Sequence, residues 1–134
     1  QTPPKPQQFR RLLTLHNIDT LMIASNASIA GPWPAYLDGM PFLKKLKRID
    51  GRFDIYSYED AGGWFLQGAG QLKQDFNRLT VIPAGPGPLL IKMYFQKGLA
   101  AKAPVKIAPC EVYPGVQFIR ATGHQGKGFE IVFR

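Results

Sequence analysis

Fourteen Gly and 12 Pro interrupt this chain of 134 residues, and they limit how long any regular element can run. Breakers at that density, without a short repeat, point to many turns between short strands. Apolar residues make up 45% and charged residues 19%, enough for a packed core and too hydrophobic for general disorder. A chain of this length fits one domain. The expected layout is therefore a single β-rich domain over residues 9–134. Ahead of it, residues 1–8 (Gln-Thr-Pro-Pro-Lys-Pro-Gln-Gln) read as an extended Pro- and Gln-rich tail or linker.

Alternation of apolar and polar residues marks the strands. Phe9–Leu15 and Asp19–Ala24 read as two short strands broken at His16-Asn17, and Gly31-Pro32-Trp33-Pro34 places residues 26–36 in a loop. Phe53–Tyr58, the turn Glu59–Gly63 and Trp64–Gln67 read as a hairpin. Further strands are expected at Leu79–Ile82, Leu89–Gln96, Val105–Tyr113, Val116–Ala121 and Phe129–Arg134. Pro109 makes its strand an edge or a bulged one.

One helix stands out, Pro41–Ile49. Pro41 suits its first turn, Gly51 suits the residue past its end, and Phe42, Leu43, Leu46 and Ile49 form a stripe opposite Lys44, Lys45, Lys47 and Arg48. The sum is a mainly β chain: a compact antiparallel barrel or sandwich of about seven short strands with one short helix.

Charge is the sharpest functional signal. Lys and Arg total 17 against 9 Asp and Glu, a formal +8 at pH 7, and such an excess attracts polyanions. Five cations, Lys44, Lys45, Lys47, Arg48 and Arg52, fall within nine residues and form a candidate phosphate-contacting patch. The bland account of the same run is the wet face of an amphipathic helix. Aromatics near cations on a β-surface can stack on unpaired bases, so Tyr56, Tyr58, Trp64 and Tyr94 are candidate platforms. Phe53, Phe95, Phe129 and Phe133 read as core. Arg10, Arg11, Lys92 and Lys97 would extend the track if they share its face.

Other chemistry is thin. A single Cys110 rules out an intrachain disulfide and reads as a small buried hydrophobe. His16 and His124 are too few for a zinc site, and no ligand pair has the required spacing. Gly123–Gly128 is rich in Gly but opens a strand where a phosphate loop would open a helix. It reads as a hairpin connection from which His124 and Lys127 could reach a polyanion. No nucleophile–base–orienter set stands out, and no catalytic residue, cofactor or metal is expected.

The expected function is thus non-enzymatic binding of single-stranded nucleic acid, DNA or RNA, or of another polyanion, with weak sequence preference. The alternative is a protein–protein interaction or assembly module of an exported or envelope-associated complex, its positive charge meeting an acidic protein partner. Nucleic-acid binding would place the chain in the cytoplasm. A processed Gln1 would place it in the periplasm or outside the cell. No stretch is apolar enough to span a membrane.

Overall fold

The computed structural model describes residues 2–134. The chain is mainly β, with three antiparallel sheets. It divides into two compact units, the first ending at Gly62 and the second running Gly63–Arg134.

The first unit opens with helix α1 (Pro6–Leu15), where the sequence suggested a tail and then a strand. Pro6 occupies the first turn, which needs no N–H from it, and the Lys5 N–H donates to Gln8 Oε1 at 3.4 Å. Phe9 and Leu13, one turn apart, are both buried, so helical spacing prevails over the shorter alternation. His16-Asn17 is the end of this helix. Asn17 is left-handed (φ 53), its N–H reaches the Thr14 carbonyl and the Ile18 N–H reaches that of Leu13, a Schellman closure.

Strand β1 (Thr20–Ala24) follows as expected. Two short helices, α2 (Ala27–Ala30) and α3 (Trp33–Asp38), then replace the predicted loop.

The predicted helix 41–49 is not formed. Lys44–Ile49 is strand β2, paired antiparallel with β3 (Phe53–Ser57). The reason lies in Asp50-Gly51. Both residues have positive φ, 52° and 63°, and the Arg52 N–H closes onto the Ile49 carbonyl at 2.9 Å. This β-turn with two left-handed central residues matches strand twist, and with Arg52 it joins Ile49 to its partner Phe53, so Gly51 turns a hairpin and caps no helix. The sheet order is β1-β3-β2, which puts the lysine-rich strand on an edge. The core of this unit gathers Phe9, Leu13, Leu37, Tyr56, Tyr58 and Ala61.

The expected hairpin between Phe53–Tyr58 and Trp64–Gln67 is absent as well. β3 pairs only with β1 and β2, and a turn of 3-10 helix (Glu59–Ala61) leads out of it.

The second unit is a sandwich of two four-stranded antiparallel sheets. One contains β4 (Phe65–Gln67), β7 (Leu89–Tyr94), β10 (Val116–Thr122) and β9 (Lys106–Tyr113), in that order. The other contains β5 (Gly70–Asp75), β6 (Arg78–Pro83), β11 (Phe129–Phe133) and β8 (Leu99–Ala101). Neither closes into a barrel. Val81, Ile91, Ile119, Ala121 and Ile131, from both sheets, are essentially inaccessible and form its core. Pro109 sits on the edge strand β9, where its missing N–H costs no ladder bond. Between β4 and β5, Gly68 is left-handed (φ 77), and a Cβ there would lie 2.9 Å from the Pro88 carbonyl oxygen; both the conformation and the close backbone approach favour glycine.

Strands β5 and β8 had no clear alternation to announce them. β5 is exposed at five of its six residues and β8 is three residues long.

Candidate functional site

The three-stranded sheet of the first unit has two unlike faces, because directly paired residues point the same way and neighbours along a strand alternate. The inner face holds the rows Leu21–Tyr56–Lys45 and Ile23–Asp54–Arg48. The outer face holds Thr20–Ser57–Lys44, Met22–Ile55–Lys47 and Ala24–Phe53–Ile49. A bulge between Lys45 and Lys47 accommodates Leu46 and lets both rows continue past it.

The inner face accounts for two of the five clustered cations. Asp54 is 1% exposed, and Arg48 grips it with Nε donating to Oδ1 at 2.7 Å and Nη2 to Oδ2 at 3.3 Å. Lys45 Nζ stands 3.5 Å from the same carboxylate and 3.4 Å from Asp38 Oδ1, and lies over the Tyr56 ring at 5.8 Å. The Arg48 hydrogen bonds hold the Asp54 carboxyl below its ordinary range in spite of its burial. Asp38 is also held low, chiefly by the hydroxyl of Tyr56, which donates to Oδ1 at 2.5 Å. Burial first, and then Asp38, push the Tyr56 phenol well above its ordinary value. This is a neutralised, hydrogen-bonded set whose work is packing.

Tyr56 and Tyr58 are therefore not stacking platforms. Their rings are 1% and 2% exposed. Tyr58 shares a 2.6 Å hydrogen bond with Thr14 and meets Phe42 edge-on at 5.8 Å. The sequence reading put the wrong face of β3 inward, since burying Asp54 looks costly until Arg48 and Lys45 are placed against it. Phe53, read as core, is instead 38% exposed on the outer face beside Met22 at 63%.

On that outer face Lys44 and Lys47 are exposed. No acidic group lies within ion-pair distance of Lys44, Lys47 or Arg52 among the described residues. Arg52 follows in the hairpin turn, also exposed. The five cations thus split: Lys45 and Arg48 belong to the inner network, while Lys44, Lys47 and Arg52 are open to solvent.

Trp64 and Tyr94 belong to the second unit. Trp64 is 43% exposed and its carbonyl accepts the Lys92 N–H at 2.7 Å. Tyr94 is 56% exposed and edge-on to Phe118 at 6.0 Å. Lys92 does not extend any surface track; it is buried, and burial pushes its ammonium pKa down. Arg10 is paired with Asp60 at 2.9 Å and lies 5.5 Å over the Phe42 ring.

His124 is buried too. Its Nε2 donates to the Gly87 carbonyl at 2.7 Å while Nδ1 accepts the Gly126 N–H at 3.0 Å. It pins the loop between β10 and β11 and offers nothing to a polyanion. Phe133, also read as core, is 50% exposed. Cys110 is half-buried on β9.

Among the described residues no group of His, Cys, Asp and Glu is placed to hold a metal ion, and no helix is long and apolar enough to cross a membrane. No protein-family model, curated protein or solved structure matches the chain. What the site can do rests on its own chemistry: an open sheet face with an aromatic ring and a thioether, bordered by the exposed ammonium groups of Lys44 and Lys47.

Proposed function

We propose that this chain is a non-enzymatic binding protein whose first unit holds single-stranded nucleic acid on the outer face of its sheet. Phe53 is the stacking platform, Met22 and Ile55 extend the apolar floor, and Lys44, Lys47 and Arg52 meet phosphates. The observation that carries this reading is an open face on which exposed Phe53 and Met22 flank the row of Ile55 and Lys47, with no carboxylate within ion-pair distance of Lys44, Lys47 or Arg52 among the described residues, since stacking and backbone attraction together hold unpaired strands. Nothing on that face forms a donor–acceptor pattern for a particular base, so sequence preference is weak.

The alternative, an assembly module with an acidic protein partner, would use the same lysines. One route to it is unfavourable at β2, because a lysine-rich, bulged edge is a poor template for a partner strand.

Fluorescence anisotropy of a labelled oligothymidylate tests the proposal. Binding is expected in the micromolar range at low salt. Three phosphate contacts give a log–log salt slope of about −2, from roughly −0.7 per contact on single strands. The double variant Lys44→Glu, Lys47→Glu abolishes binding with the fold intact. Phe53→Ala weakens binding by about 1–3 kcal/mol, the usual worth of one stacked base. No association at low salt would remove the nucleic-acid reading and promote the acidic-partner one.

A further inference from the structure

The second unit carries a cavity of about 400 Å³ at one end of its sandwich, between the β5–β6 turn and the ends of β7 and β11. That volume lies within the roughly 300–1,000 Å³ of small-molecule sites. Its floor is made by Leu79, Ile119 and Ile131, side chains of the sandwich core itself, with Met93 and Leu99 beside them. At its mouth stand two phenylalanines that the core does not claim: Phe76, 94% exposed at the turn, and Phe133, 50% exposed. Leaving such rings in water around an apolar hollow marks a surface that meets another molecule.

The chemistry of the walls selects among ligands. The floor offers no donor or acceptor, so a sugar would bury hydroxyl groups without partners, which is costly. A hydrocarbon chain loses nothing there. The mouth adds three neutral amides, Gln74, Asn77 and Gln96, which can donate to and accept from a small polar head. Its one cation, Arg78, lies 3.6 Å from Glu130, and the carboxylate-bearing Asp75, its register partner across the hairpin, lines the same cavity. With Glu130 paired to that guanidinium and Asp75 in the lining, the cavity offers an anion no net positive charge.

We infer that this end cavity binds a free neutral amphiphile, a single unbranched alkyl chain ending in a hydroxyl or ester head, with the chain on Leu79, Ile119 and Ile131 and the head at the amides. The inference is independent of nucleic-acid binding, which involves residues of the other unit.

The test is a titration of the whole chain, labelled at its Leu, Ile and Met methyl groups, with 1-octanol followed by NMR. Saturable shifts are expected at Leu79, Leu99, Ile119 and Ile131, with Met22 and Ile55 unmoved. Octanoate binds several-fold more weakly, and oligothymidylate moves none of the cavity methyls. Phe76→Ala, at a side chain in water, keeps the fold and weakens octanol several-fold, and Leu99→Trp blocks the cavity while the thermal midpoint is retained. Vesicles of neutral phosphatidylcholine leave the protein in the supernatant. Unmoved cavity methyls at octanol saturation, octanoate binding as tight as octanol, or full affinity in the Phe76→Ala variant would each overturn the assignment. Sedimentation with the neutral vesicles would overturn it in favour of a membrane surface.

Discussion

The two faces of the first unit's sheet are built from the same three strands, yet they use charge in opposite ways. On the inner face Lys45 and Arg48 serve Asp54, a carboxylate that burial would otherwise make untenable. On the outer face Lys44 and Lys47, one register step away, have no carboxylate within ion-pair distance among the described residues, and Lys47 shares its row with exposed Met22. A cationic run therefore does not behave as a unit. Alternation along a strand divides it into residues that maintain the fold and residues available to a ligand.

Substitutions on the inner side should damage stability, and those on the outer side should damage binding. The largest effect is expected beneath the inner face. Leu13 is 1% exposed, and Leu13→Ala should cost about 2–5 kcal/mol through lost burial and a residual cavity, read as a lowered urea midpoint.

Asp54→Asn should cost less, because Arg48 and Lys45 are half-exposed and can return to water. Its signature is in the pH dependence. The native carboxyl is held low by Arg48, so its contribution is present above the unfolded value of about 3.9 and is lost as pH falls through the native one. Thermal melts should show the wild type losing stability on acidification below that point and the variant losing less. Equal acid sensitivity would mean that Asp54 is not the linked group.

Tyr56→Phe keeps the ring and removes only the hydroxyl that donates to Asp38. The expected loss is about 1 kcal/mol by chemical denaturation. Smallest of all, Lys44→Glu and Lys47→Glu should each stay within about 0.5 kcal/mol of the wild type, as solvated edge positions do. A large destabilisation by either would erase the distinction between the faces.

Parts of the second unit were legible where polarity and burial agree, although buried Lys92 and His124 and exposed Phe133 break that agreement. Leu89 and Ile91 alternate onto the core as the sequence suggests, and Pro109 marks an edge strand. Legibility failed where a local pattern had two solutions. Phe42, Leu43, Leu46 and Ile49 fit a helical stripe, but Asp50-Gly51 is a hairpin signal, and pairing with Phe53–Ser57 prevails over helix propensity. Reading that dipeptide as a turn would have put Lys45 opposite Tyr56 and Lys44 opposite Ser57, whereas the one-residue offset that sets Arg48 opposite Asp54 comes with the bulge at Leu46, which the dipeptide does not announce. Phe9–Leu15 failed for a related reason: Pro6 opens a helix, and a closure at Asn17 ends it. Of the nine residues first placed at the site, Lys44, Lys47 and Arg52 stand exposed on or beside the open face. Phe53 and Met22 were missed because their aromatic and thioether groups look like core in the absence of a register.

The most direct measurement follows the Met22 and Ile55 methyl groups of the outer face, and those of Leu21 and Ile23 on the inner face, as oligothymidylate is added at low salt. The account predicts saturable shifts at Met22 and Ile55 with Leu21 and Ile23 nearly still. Outer-face methyls that stay fixed while oligonucleotide binds elsewhere, or not at all, would contradict it.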